Sequence, residues 1–281
     1  MQIHKWRARM ILEFRKTMCW WLALGWLLAL AHPALAADCG IKTVRWFDDA
    51  PYSFAGSNGE VRGFNADLMR EALKRMGCTA KFVEMPWARA LLELEAGRLD
   101  ILPGALRKPE RERFAYFSRA INRSPNVLFV HKNAAAIYSI HKLADLVGTN
   151  FRLGTQIGVT YGPDFEVLSK TPEFTARLTP VSLRKSAWKM MEVGRLDGII
   201  ADEATGLSEL QALGLSKDIT RSSVVVSVEP ATVALSRMSV TEDFLKAFDR
   251  SLGSMLADGK YREIRERYVP CKTSVETLGC K

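Results

Sequence analysis

Gly154, Gly158 and Gly162 recur at four-residue spacing and frame Val159-Thr160-Tyr161, just ahead of the helix-opening run Pro163-Asp164-Phe165-Glu166. Unpaired amides at a helix start favour an anion. An ordinary helix cap would show the same pattern. The stretch is not a Walker loop, since no Gly-Lys-Ser/Thr follows, and nucleotide binding is not expected. Other reactive types are sparse. Neither Gly-x-Ser-x-Gly, His-Glu-x-x-His nor Ser-His-Asp spacing occurs, and two of the four histidines, His4 and His32, sit in the N-terminal segment. Without CxxC or HxxxH spacing, no metal site and no cofactor are expected.

The elements that must position these residues are marked by a repeat. Gly-Arg-Leu-Asp occurs at 97–100 and again at 194–197. Each copy follows a helix-like run containing a tryptophan, Trp87 or Trp188, and leads into an apolar stretch. A glycine closing a helix before a short apolar strand is one αβ unit. Two such units suggest two α/β lobes with a ligand cleft between them. Upstream, strand Ile41–Phe47, helix Asn65–Met76, strand Thr79–Met85, helix Trp87–Ala96 and a strand from Asp100 make βαβαβ, the start of an open parallel sheet. The polar stretch 103–113 shows no strand pattern. Ile137–Leu146 reads as a weak helix, Val127–Val130 and Val224–Val228 as strands, and 244–268 as mostly helical with a break near Asp258-Gly259.

The first residues are an address. Lys5, Arg7, Arg9, Arg15 and Lys16 precede an apolar run ending in Ala34-Leu35-Ala36, a signal peptide (1–36) with cleavage expected before Ala37. The run is shorter than the roughly 20 residues of a spanning helix. Removal leaves 245 residues carrying 35 basic and 30 acidic side chains. That mild excess has no Lys/Arg run, so a nucleic-acid partner has no support. Cys39, Cys78, Cys271 and Cys280 remain, and an even count in an exported chain reads as disulfides. Three pairings are possible. Cys39 and Cys78 each open an apparent strand. If those strands are parallel neighbours, their starts lie at disulfide distance, leaving Cys271–Cys280 to close a small loop.

Ala50-Pro51-Tyr52-Ser53-Phe54, Gly63-Phe64-Asn65-Ala66-Asp67-Leu68, Pro86-Trp87, Gly97–Asp100, Pro109-Glu110-Arg111, Asp197 with Asp202, and Ala257-Asp258-Gly259-Lys260-Tyr261 follow one another in an order that resembles the extracytoplasmic solute-binding proteins of family 3, the amino-acid ABC-importer type. The resemblance covers most of the mature chain. It implies an α/β, two-lobed periplasmic-binding-protein-like fold (type II), with two open lobes joined by two hinge crossings. Lobe 1 would be discontinuous (37–124 and 230–281) and lobe 2 continuous (125–229). The chain would cross near Asn122–Val127 and return near Glu229–Ala231.

The resemblance also implies a site. Arg111 matches the arginine that grips a ligand carboxylate through its planar fork. Asp202 matches the acid that takes the ligand ammonium from the other lobe. Thr160, Gly104, Leu106 and Val159 occupy further ligand-binding positions. Tyr52, then Trp87, are the aromatic residues expected to line the pocket, with Phe54 also a candidate. Arg89 is an anion contact or a surface charge. Arg107, Lys108 and Arg113 read as a solvated face, and Asp197 as a brace for a strand start. Leu106 stands where Ser or Thr is usual, Lys108 where Thr is usual, Val159 at the first of two Thr positions, and Asp49 where an aromatic is common. The expected role is capture of a small amino acid or related organic anion by a periplasmic monomer that presents its closed form to a membrane ABC permease. Alternatives on the same scaffold are a cyclohexadienyl dehydratase, for which Glu203 or Glu84 would be conceivable acids, and a ligand-delivering sensor partner.

Overall fold

A computed structural model describes residues 39–269. The expected signal segment and the Cys271–Cys280 pair lie outside the described residues. Strand β1 (Ile41–Trp46) is followed by a small hairpin, β2 (Phe54–Ala55) and β3 (Val61–Arg62). Next come α1 (Phe64–Arg75), β4 (Thr79–Glu84), α2 (Trp87–Glu95) and β5 (Ile101–Ala105). A short helix α3 (Pro109–Glu112), β6 (Ala115–Phe117) and β7 (Asn122–Arg123) lead out of this first unit. The second begins with β8 (Asn126–His131), α4 (Lys132–Ile137), a 3-10 turn at Leu143–Leu146 and β9 (Leu153–Gln156). It continues through α5 (Pro163–Leu168), α6 (Pro172–Thr175), β10 (Leu178–Val181), α7 (Arg184–Glu192), β11 (Gly198–Asp202), α8 (Glu203–Leu213) and β12 (Ile219–Ser227). Strand β13 (Pro230–Ser236) returns to the first sheet, and α9 (Glu242–Ala257) and α10 (Lys260–Tyr268) close the described chain.

The two main sheets share one topology. In the first, ordered β4-β1-β5-β13-β6, β1 lies between its parallel partners β4 and β5, and β13 runs antiparallel to β5. In the second, ordered β10-β9-β11-β8-β12, β9 lies between β10 and β11, and β8 runs antiparallel to β11. The Gly-Arg-Leu-Asp repeat serves the same purpose in each. Gly97 (φ 73°) and Gly194 (φ 67°) end α2 and α7 in the left-handed region, where a Cβ is disfavoured. The Asp100 carboxylate then accepts from the Thr43 amide at 2.7 Å and hydroxyl at 2.8 Å. Asp197 accepts from the Arg152 amide at 2.7 Å. Each aspartate thus ties the start of one central strand to its parallel neighbour, β5 to β1 and β11 to β9.

Apolar faces of the helices cover both sides of each sheet. Phe64, Leu68 and Leu73 of α1 pack with Phe248 and Leu252 of α9 on one face of the first sheet, and Ala90 and Leu94 of α2 on the other. In the second lobe Trp188 and Met191 of α7 pack under β8 and β11. Cys39 and Cys78 form a disulfide with a Cα–Cα distance of 4.8 Å, set by the pairing of Ile41 with Thr79 at the starts of β1 and β4. The two connections between the sheets run side by side: Asn122 pairs with Ala231 and Arg123 with Pro230, and beyond them Asn126 pairs with Ser227.

Three stretches differ from expectation. The region 103–113 holds the end of β5 and all of α3. Pro103 is accommodated beside a register shift between Thr232 and Val233 of β13, a setting in which a sheet tolerates proline. The expected helix Ile137–Leu146 is split, because the Asp145 carboxylate captures the amides of His141 and Lys142 at 2.9 and 3.0 Å and starts a separate turn. Helix α8, for which the sequence offered no apolar stripe, runs unbroken through the buried Gly206. A Cβ there would lie 2.4 Å from the Phe129 ring.

Candidate functional site

In open α/β sheets the crevice forms beyond the carboxyl ends of strands, where strand order reverses. Here the chain beyond the ends of β1 and β5 supplies Asp49–Ser53 and residues up to Arg111 of α3, while the ends of β9 and β11 lead into Tyr161 and Asp202. Together with the crossing residues Asn122, Ser124 and Ala231 they line a cavity of about 170 Å³. Arg111, Asp202, Thr160, Tyr52 and Trp87 all line it, as do Gly104, Leu106 and Val159.

Arg111 is buried on α3. Its Nη1 donates to the Leu106 carbonyl at 3.1 Å, and its Nη2 to the Gly158 carbonyl at 2.9 Å and the Thr160 hydroxyl at 3.0 Å. Of the five N–H groups of a guanidinium, two remain for another partner. Burial pulls its pKa down against the raising effect of Glu110 and Glu166. The Leu106 side chain offers no hydroxyl, and its backbone oxygen is the contact instead. Trp87 opens α2, and its indole N–H also donates to the Gly158 carbonyl, at 2.9 Å. At Gly158 it is the carbonyl that these side chains use, while the Val159 amide next to it donates to the Gln156 carbonyl at 3.2 Å. Gly158 has φ 77°, and a Cβ there would press on Trp87 and Leu91 at 3.4 and 3.3 Å. This close approach favours glycine.

Asp202 ends β11 and caps α8, with Oδ1 accepting from the Thr205 amide at 3.0 Å. The Tyr52 hydroxyl lies 3.4 Å from Oδ2 and accepts from Asn122 Nδ2 at 3.1 Å. Burial raises the Asp202 carboxyl above the usual range, and bonds from Ser124 and the Thr205 amide bring it only part of the way back. Burial and the Asp202 charge likewise push the Tyr52 hydroxyl up.

Other expectations fall elsewhere. Phe54 does not line the cavity; it packs edge-on against Tyr268 with centroids 6.2 Å apart. Arg89 is exposed and near Glu93. Lys108 is not on a solvated face: it is 8% exposed and bonded to Glu166 at 2.7 Å, with Glu229 at 3.7 Å. Glu203 lies outside the residues lining the cavity, paired with Arg221 at 2.9 Å, and Glu84 is exposed at the end of β4.

The residues the sequence did not single out form a second charged cluster. Arg184 of α7 donates to Glu209 at 2.7 and 2.9 Å and to Asp49 of the first lobe at 2.9 Å. Arg45 reaches Asp49 at 2.8 Å. Burial pushes the Asp49 carboxyl up, but the two guanidinium groups outweigh it and hold the pKa low. Burial alone would lower the Arg184 pKa; Glu209 and Asp49 raise it. Next to this pair Lys185 bonds Asp48 at 2.5 Å. A signal existed. Two cations, Arg184 and Lys185, in the first turn of a helix oppose its dipole, so a partner such as Asp48-Asp49 was to be sought. Among the described residues no group of side chains forms a metal site.

Comparison with known proteins gives consistent relatives. The family model of bacterial extracellular solute-binding proteins, family 3, matches residues 46–270. The histidine-binding periplasmic protein of Escherichia coli K12 is 23% identical over 256 residues, covering 88% of this chain and 95% of that protein. The octopine-binding periplasmic protein of Rhizobium meliloti is 29% identical over 133 residues, 46% of this chain and 43% of that protein. A crystal structure of a mutant ArgBP from T. maritima superposes with TM-score 0.70 and 26% identity, covering 82% of this chain and 95% of that one.

Proposed function

Because the chain belongs to the bacterial extracellular solute-binding proteins, family 3, we propose that it is a periplasmic monomer that captures a small amino acid or related organic anion and presents it to an ABC permease. The observation that carries this reading is that Arg111, from the first lobe, and Asp202, from the second, line one cavity of about 170 Å³. A guanidinium and a carboxylate facing one gap suit a zwitterion. The volume lies below the roughly 300–1,000 Å³ of drug-sized pockets, which favours a small solute. The lobes divide at 124/125 and 229/230 in this reading: 37–124 with 230–281, and 125–229. The histidine-, cystine- and arginine-binding relatives support the amino-acid class.

Work is done by closure, with no bond broken. A ligand that contacts both lobes stabilises the closed form by its differential affinity. The test is a thermal-shift screen of the mature protein against amino acids and organic acids. A ligand at one hundred times its Kd adds about 2.7 kcal/mol. Arg111→Ala is expected to lose the shift and keep the circular-dichroism spectrum of the wild type. A full shift in that variant removes Arg111 from the site. Prephenate and arogenate belong in the screen, since their turnover would replace this reading by the dehydratase one.

A further inference from the structure

Arg265 of α10 is fully buried, outside the residues that line the cavity. Its Nη1 donates to Asn122 Oδ1 at 3.1 Å. A guanidinium has donors only, so this bond fixes the amide: oxygen toward Arg265, nitrogen away. Asn122 Nδ2 then donates to the Tyr52 hydroxyl oxygen at 3.1 Å. With that oxygen accepting from Asn122, and Ser124 bonded to both Tyr52 and Asp202, the phenolic hydrogen donates toward Asp202 Oδ2, 3.4 Å away. The result is a one-way chain from the C-terminal helix, through a crossing strand, to the acid of the opposite lobe. The crossing strand is itself held: the Tyr261 hydroxyl of the same helix donates to the Ile121 carbonyl at 2.5 Å.

We propose that Arg265 is a positioning residue: acting through Asn122 and Tyr52, it aims the Tyr52 hydroxyl hydrogen at Asp202 and so holds an anionic carboxylate ready for a ligand ammonium group. The last clause rests on the functional reading above; the aiming of the hydroxyl does not. Burial disfavours the Asp202 anion, so each donor to it matters. Besides Tyr52, the groups facing it are Ser124 on the crossing segment, the Thr205 amide and hydroxyl on α8 and the Arg184 charge on α7. The chain also crosses the boundary between the lobes, because Tyr52 and Asp202 sit on opposite sides of the gap while Asn122 lies in the paired crossing. Opening separates the last link and leaves the first two in place.

The experiment follows the Asp202 carboxyl by carbon-13 NMR through a pH titration of ligand-free protein labelled at aspartate. Assignment uses Asp202→Asn. Tyr52→Phe, Asn122→Leu and Arg265→Met are each expected to raise the Asp202 midpoint by about one pH unit, a tenfold change in proton affinity. Arg265→Lys should recover part of it. Adding Arg265→Met to Tyr52→Phe should move the midpoint no further, because residues in one network are not additive. An Asp202 midpoint unchanged in folded Arg265→Met overturns the proposal. If that variant does not fold, an unchanged midpoint in Asn122→Leu or Tyr52→Phe overturns it equally. The functional reading fails differently, by amino-acid thermal shifts that ignore Asp202→Asn while the NMR midpoints move as expected.

Discussion

Asp49 takes a position where the family resemblance led to an aromatic, and the structure gives that exchange a physical meaning. Its carboxylate sits between Arg45 and Arg184 at 2.8 and 2.9 Å, so the ion pair replaces ring contact at that edge of the cavity. Removing one member of a buried charged network leaves its partners uncompensated. Asp49→Asn is therefore expected to lower the unfolding free energy by about 3 kcal/mol at pH 7. The sign with pH follows from the depressed carboxyl. The folded value lies below the ordinary 3.8, so the stabilisation is full above that pH and disappears as pH falls through the folded value. Urea unfolding of both proteins at pH 7 and in acid checks this; a gap that persists unchanged in acid contradicts it. At this scale the eight cavity positions were legible because ordered motifs marked them. Asn122 was not, because its partner Arg265 lies 143 residues away, and Arg184 showed only that it needed an acid, not that the acid would be Asp49, 135 residues away.

Elements were legible where a local signal closed them. The glycines of Gly-Arg-Leu-Asp ended α2 and α7, and the strand starts placed Cys39 beside Cys78. An element failed to show where a side chain overrode the pattern, as Asp145 does in splitting the expected helix. The repeated aspartates make a graded prediction. Asp100 holds a partly buried amide and hydroxyl of Thr43, whereas Asp197 shares its load with Arg152, whose side chain is 47% exposed. Asp100→Ala should cost about 2–3 kcal/mol, and Asp197→Ala about 1 kcal/mol, since hydrogen bonds to charged groups are worth more when buried. Guanidinium unfolding of the two variants gives the comparison, and an equal loss would count against the brace being stronger in the first lobe.

Among the described residues, side chains from both sheets meet across the cavity. Arg111 and Trp87 reach Gly158, Tyr52 approaches Asp202, Arg184 and Lys185 reach Asp49 and Asp48, and Lys108 reaches Glu166. The disulfide acts within the first lobe alone, joining residues 39 apart in sequence. Loop entropy for that separation is about 4 kcal/mol. A Cys39→Ser/Cys78→Ser double variant should lose about that much stability and give the same ligand-induced thermal shifts as the oxidised protein, because the covalent tie is made at the strand starts and the cavity beyond the strand ends. Urea unfolding and the thermal-shift screen test the two halves of that statement.

One contact across the gap has a practical side. Among the described residues there are three tryptophans. Trp188 is sealed inside the second lobe and Trp46 lies within the first sheet, while the indole of Trp87 spans from one half to the other. Parting the halves would hand that N–H to water and alter the ring's polar surroundings. The protein thus carries its own light-emitting gauge of whether the jaws are shut, with no attached dye.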